Sequence, residues 1–205
     1  MKVLLINGSP HKDGCTNKAL QEIANTLNDN NVDSEIIWIG KNALRGCAVC
    51  GGCAKSKKCV FDDIANDISE KMAECDGLIV GSPVYYSSPN GSLLAMLDRL
   101  FGFCPYLAHK PAASITSARR AGTSATIDVL NKYFTIRQMP VVSSTYWNMV
   151  HGAKAEDVEN DKEGLQTMRN LAKNMAWLIK CIDAGKNAGI NAPTAETNER
   201  TNFIR

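Results

Sequence analysis

Residues 2–20, KVLLINGSPHKDGCTNKAL, decide how the rest of the chain reads. A short apolar run from Val3 to Ile6 meets the turn signal Asn7-Gly8, and a loop rich in glycine, hydroxyl and basic side chains follows. Beyond it Ala19, Leu20, Ile23, Ala24 and Leu27 recur at the spacing of one helical face. The stretch is thus a buried strand over 2–7, a loop, and a helix starting near Thr16. Main-chain N–H groups and hydroxyls gathered at a helix start make an anion site. Ser9, Thr16 and Asn17 are candidate phosphate donors, with His11 and Lys12 nearby. The same residues also suit a plain helix start behind a surface loop, and alone they do not choose.

The kind of phosphate compound narrows by elimination. A triphosphate-binding loop needs G-x-x-x-x-G-K-[ST]. Here five residues separate Gly8 from Gly14, and Cys15 stands where the lysine belongs. The dinucleotide fingerprint G-x-G-x-x-G is missing too. A cradle without the triphosphate lysine and the pyrophosphate glycines suits a mononucleotide.

The alternation of apolar run and helical pattern continues along the chain. Further strands are expected at SEIIWI (34–39), GLIVGS (77–82), AASIT (112–116) and PVVSSTY (140–146). Between them lie helices marked by Ile64, Ile68 and Met72 behind a cap at Asp62 or Asp63, and by Leu93, Leu94, Leu97 and Leu100. Another helix is expected at about 122–137, and a long last one from Leu165 to Ile182. Strands alternating with helices imply an α/β fold, a parallel sheet covered on both faces. Such sheets bind ligands beyond the carboxyl ends of the strands, where strand order reverses. One domain is expected over 1–185, with a polar tail at 186–205 packing on it or on a neighbouring subunit.

Composition sets bounds. The 205 residues are 44% hydrophobic with a net charge of +2, so a full core is available and no basic surface calls for nucleic acid. No apolar run approaches the roughly 20 residues of a membrane span. The run at Val3–Ile6 is too short for the core of a signal peptide, so a cytoplasmic address is expected. In a reducing compartment the eight cysteines do not read as a disulfide set. Cys75 and Cys181 fall in helical apolar patterns and are expected to pack, while Cys104 ends a helix before Pro105.

Two more loops follow strands. In GSPVYYSSPNGSLLAMLDRL (81–100), Pro83, Val84, Tyr85, Tyr86 and Ser87 offer aromatic faces and free main chain, which suit a flat heterocycle. In SITSARRAGTSA (114–125), Thr116, Ser117 and Arg119 stand on the other flank.

GSPHKDGCTNKAL, SPVYYSSPNGSLLAMLDR and YWNMVHG (146–152) together resemble the flavodoxin-like NAD(P)H-dependent FMN reductases. DKEGLQTMRNLAKNMAWLIK (161–180) and the terminal TNFIR are similar to a subgroup that includes the iron–sulfur flavoproteins. The resemblance implies a flavodoxin-like three-layer sandwich with a five-stranded parallel sheet in the order 2-1-3-4-5. It implies FMN, with Ser9, Thr16 and Asn17 on the phosphate and His11 and Cys15 beside it. Pro83, Val84, Tyr85, Tyr86 and Ser87 would line the ring and ribityl chain, and Thr116, Ser117 and Arg119 the pyrimidine end. A cation near that edge stabilises the reduced ring. NAD(P)H would be the electron donor, a small molecule or protein the acceptor, and a homodimer or homotetramer the assembly. Hydride transfer to flavin N5 requires no protein acid or base, so neither His109 nor His151 is assigned a catalytic role.

CAVCGGCAKSKKC (47–59) places Cys47, Cys50, Cys53 and Cys59 in the loop after the second strand, expected on the same rim as the flavin. The spacing C-x2-C-x2-C-x5-C can deliver four thiolates to a 4Fe-4S cluster, with Gly51 and Gly52 easing the turn and Lys55, Lys57 and Lys58 offsetting its charge. It matches the compact motif of the iron–sulfur flavoproteins, which would imply electron transfer from a ferredoxin-like donor. Zinc, and a metal-free or redox-active loop, are the alternatives.

Overall fold

The computed structural model describes residues 1–201 and 203. Six strands form its sheet: β1 (Lys2–Asn7), β2 (Asp33–Trp38), β3 (Gly77–Tyr85), β4 (Ser88–Pro89), β5 (Ala112–Ala118) and β6 (Met149–His151). The helices are α1 (Cys15–Asp29), α2 (Cys53–Ser56), α3 (Ile64–Met72), α4 (Gly91–Phe103), α5 (Thr123–Ile136) and α6 (Lys162–Asn187), with a 3-10 turn at Ala155–Asn160. The strand order is β2-β1-β3-β5-β6, parallel throughout, with β4 turning back on the end of β3. With β4 set aside this is the order 2-1-3-4-5.

The strand sequences explain the three layers. Along β1 the side chains alternate between faces. Leu4 and Ile6 join Leu78 and Val80 against α3, α4 and α5, in a core that includes Met72, Leu97 and Phe134. Val3 and Leu5 join Ile79 and Ile115 against α1 and α6, with Leu20, Ile23, Leu171 and Met175. Both faces of the central strands are therefore buried, which is why they read as unbroken apolar runs.

Two expectations are corrected. The fifth strand is not PVVSSTY. Only Val141 bridges to Ala112, and the paired strand is Met149–His151, alongside Thr116–Ala118. The reason is polar competition from α6. Ser144 Oγ donates to the Thr167 carbonyl at 2.7 Å, Asn174 Nδ2 donates to the Ser143 carbonyl at 2.8 Å, and Asn170 Nδ2 reaches Thr145 Oγ1 at 3.1 Å. Those bonds hold 143–145 off the sheet edge. Cys181 is exposed rather than packed. It lies two residues past buried Ile179, about 200° further round the helix, and so faces outward. Cys75 is buried as expected, and Cys104, which ends α4, is buried too. Residues 189–201 carry no helix or strand and are exposed in the single chain, while Asn202, Ile204 and Arg205 of the TNFIR motif lie outside the described residues. No helix among the described residues is long and apolar enough to cross a membrane.

Candidate functional site

Strand order reverses between β1 and β3, and a cleft of about 800 Å³ opens at their carboxyl ends. That size lies in the range of small-molecule sites, about 300–1,000 Å³. Its floor is the first loop. The Ser9 N–H donates to Asn7 Oδ1 at 3.0 Å, and Ser9 Oγ accepts from the His11 N–H at 3.1 Å. Trp38, at the end of β2, donates its indole N–H to the Ser9 carbonyl at 2.7 Å. Asn90 caps α4 and donates to the Gly8 carbonyl at 2.7 Å. Gly8 itself has no room for a side chain, because a Cβ would stand 2.8 Å from the Gly81 carbonyl oxygen. The loop is thus clamped from three strand ends before any ligand arrives.

Helix α1 starts at this floor behind Gly14, with no side-chain cap. The Thr16 and Asn17 N–H groups have no acceptor among the described residues, so the first turn presents free donors. Thr16 is buried, and its Oγ1 lies 2.8 Å from Ser117 Oγ across the cleft base. Asn17 accepts from Asn7 Nδ2 at 3.3 Å. Cys15 lines the cleft, and its thiol points at the Gly152 carbonyl, 3.5 Å away. Partial burial pushes the Cys15 thiol above its ordinary pKa, so it stands as a neutral donor rather than a thiolate.

Of the residues singled out from the sequence, Ser9, His11, Cys15, Thr16, Pro83, Val84, Tyr85, Ser117 and Arg119 line the cleft. Four do not. Asn17 sits in the first turn of α1 with its side chain hydrogen-bonded to Asn7. Thr116 is 0% exposed, turned to the opposite face of β5 from Ser117 by strand alternation, and its hydroxyl has no partner among the described residues. Tyr86 and Ser87 form the corner of the β3–β4 hairpin, both at positive φ (51° and 57°), and Tyr86 stands fully in solvent. That corner packs on Gly122, where φ is +90° and a Cβ would meet Ser87 Oγ at 2.8 Å. Sequence reasoning missed Trp38, Lys41 and the wall from Gly152 to Glu156. Trp38 ends a strand and Gly152 follows one, so the rule of carboxyl-end placement could have found both. Cationic Lys12, Lys41, Arg119 and Lys154 outnumber acidic Asp13 and Glu156 around the cleft, which suits an anionic ligand.

The cysteines form a separate cavity. Cys47, Cys50, Cys53 and Cys59 all line a space of about 200 Å³, otherwise walled mainly by Val49, Val60, Phe61 and Phe103. The loop reaches this shape through positive φ at Val49, Gly51 and Lys57. Asn66 clamps its end, accepting from the Cys59 N–H at 2.8 Å and donating to the Cys59 carbonyl at 3.1 Å. Asp63 caps α3 through the Ala65 N–H at 3.1 Å and pairs with Arg99 at 2.6 Å. Among the described residues no three His, Cys, Asp or Glu side chains meet as a single metal ion requires. A cubane asks for something different, one thiolate at each of its iron corners, and hence sulfurs spread round a cavity wall. The cavity, expected on the flavin rim, has no lining residue in common with the cleft. The expected lysines are not at the wall either: Lys58 pairs with Glu70 and Lys57 turns back to the Ala54 carbonyl.

A doubly wound sheet with a mononucleotide cleft at its reversal point defines a flavodoxin-like flavoprotein. The chain belongs to the NADPH-dependent FMN reductase family, whose model matches residues 1–154. An iron–sulfur flavoprotein of Methanocaldococcus jannaschii is 32% identical over 191 residues, covering 89% of this chain and 99% of that protein. The iron–sulfur flavoprotein of Methanosarcina thermophila is 27% identical over 191 residues, covering 91% of this chain and 99% of that one. Among solved structures, a flavodoxin from the domain Archaea superposes with a TM-score of 0.60 at 16% identity, covering 88% of this chain and 99% of that one.

Proposed function

We propose that the protein is an FMN-dependent oxidoreductase that draws electrons from NAD(P)H and passes them to a small-molecule or protein acceptor. The observation that carries this is the uncapped first turn of α1, opening with buried Ser9 and Thr16 into a cleft of mononucleotide size. Family membership supports it. Bound in the cleft, FMN would supply hydride and single-electron chemistry. The chain does the rest. The Thr16 and Asn17 N–H groups and Ser9 hold the phosphate, Pro83 to Tyr85 wall the ring, and Arg119 places a positive charge at the opposite end. No side chain is assigned a proton. Anaerobic mixing of the flavin-loaded protein with NADPH and with NADH tests the donor: bleaching of the flavin band supports the reading, and an unchanged band with both excludes it.

A second reading shares the flavin and changes the donor. Cys47, Cys50, Cys53 and Cys59 lining one cavity favours an iron–sulfur flavoprotein, with a 4Fe-4S cluster on those thiolates and electrons from a ferredoxin-like protein. The names of the two relatives above support it. Iron and labile-sulfide assays after anaerobic purification separate it from zinc and from an empty loop. In either reading the protein works in the cytoplasm as a homodimer or homotetramer. Exposed Tyr85 at the cleft, Tyr86 at the hairpin corner and Trp177 on α6 supply apolar surface for that contact. Light scattering showing a monomer at working concentration would count against it.

A further inference from the structure

The cysteine cavity contains a cation that the flavin cleft does not use. Arg99 sits on α4, is 2% exposed, and lines the cavity beside the cysteines. A buried guanidinium is costly unless its charge and its donors are met. Asp63 meets one arm, Nη2 to Oδ2 at 2.6 Å. Nη1 points instead at Cys59 Sγ, 3.5 Å away. Nε is buried and has no partner among the described residues. An ion pair that merely tied α3 to α4 would account for the first arm alone. The Phe61 ring, 5.6 Å from the guanidinium carbon, helps hold the plane of the group.

We propose that Arg99 is a positioning residue for an iron–sulfur cluster in this cavity, donating through Nη1 to the Cys59 thiolate and leaving Nε as a further donor to the bound group. This rests on the iron–sulfur reading given above. Hydrogen bonds to cluster sulfurs and nearby charge set a cluster's potential. A fixed cation in an apolar wall favours the more negative, reduced form, so Arg99 raises the potential as well as retaining the cluster. Lysine cannot substitute fully, because it lacks the planar fork that reaches Asp63 and Cys59 together.

The test uses the whole protein, reconstituted anaerobically with ferrous iron and sulfide. Wild type is compared with Arg99→Lys and with the double change Arg99→Gln plus Asp63→Asn, which strands no buried charge and keeps a helix cap. Three quantities are read from each sample: iron and sulfide per chain, the cluster midpoint potential, and bound FMN. The double variant is expected to show a lower midpoint potential and to lose iron to a chelator about tenfold faster or more, with FMN retained. Arg99→Lys should fall between it and wild type. If the double variant loses FMN and so its fold, Arg99→Lys alone decides. Wild-type potential and release rate in the folded variants overturn the role of Arg99 while leaving the cluster in place. A wild-type protein that takes up no cluster overturns the iron–sulfur reading, and this role with it.

Discussion

The flavin cleft and the cysteine cavity are built by opposite means. The cleft is set by strand ends: residues at or just beyond the ends of β1, β3 and β5 line it, and Trp38 and Asn90 clamp its floor, the first loop, through main-chain carbonyls. The cavity is made of a loop, with Cys47 and Cys50 exposed and its order supplied by side chains, chiefly Asn66, Asp63 and Arg99. A site on a packed sheet exists before its ligand does. A loop site with exposed thiols draws more of its order from what it binds. Flavin binding should therefore survive damage to the cysteine loop.

The largest break in that comparison comes from the cysteines. Cys53→Ala with Cys59→Ala should abolish cluster uptake in an iron assay and leave FMN content unchanged, whereas loss of both would show that the two sites are one unit. Next, Asp63→Ala removes a helix cap and strands the Arg99 charge. It should cost about 3–5 kcal/mol in a denaturant titration. A smaller effect is expected on the other side. Thr16→Val should weaken FMN binding by about 1–3 kcal/mol in a fluorescence titration, since it leaves a cleft-base donor unmade. The smallest concerns Glu35, held below the usual carboxylate range by hydrogen bonds from Lys2 and then Lys71, at 2.6 Å and 2.5 Å. A depressed pKa makes that stabilisation present above the ordinary carboxylate range and lost as pH falls through the folded value. Glu35→Gln should flatten the acid limb of the melting curve slightly, by no more than a surface pair allows.

The same contrast explains what could be read from the sequence. Apolar runs with turn signals placed β1, β3 and β5, because both faces of those strands are buried and their composition records it. The edge strand was misplaced because PVVSSTY has the composition of a strand while its hydroxyl-bearing residues bond to α6. Liners adjacent to buried strands, such as Ser9, Thr16 and Ser117, were legible from carboxyl-end placement. Thr116, one residue away, was not separable from Ser117 without the register that turns it to the other face. Arg99 escaped notice because it reads as one polar position on an amphipathic helix. Only packing shows it buried beside Cys59.

The central claim is that the first turn of α1 reads a phosphate. Parallel titrations of flavin-free protein with FMN and with riboflavin, which share the ring and differ in that group, test it most directly. FMN should bind tighter by about two orders of magnitude, the worth of one or two hydrogen bonds to a charged group. Equal affinity for the two would contradict it.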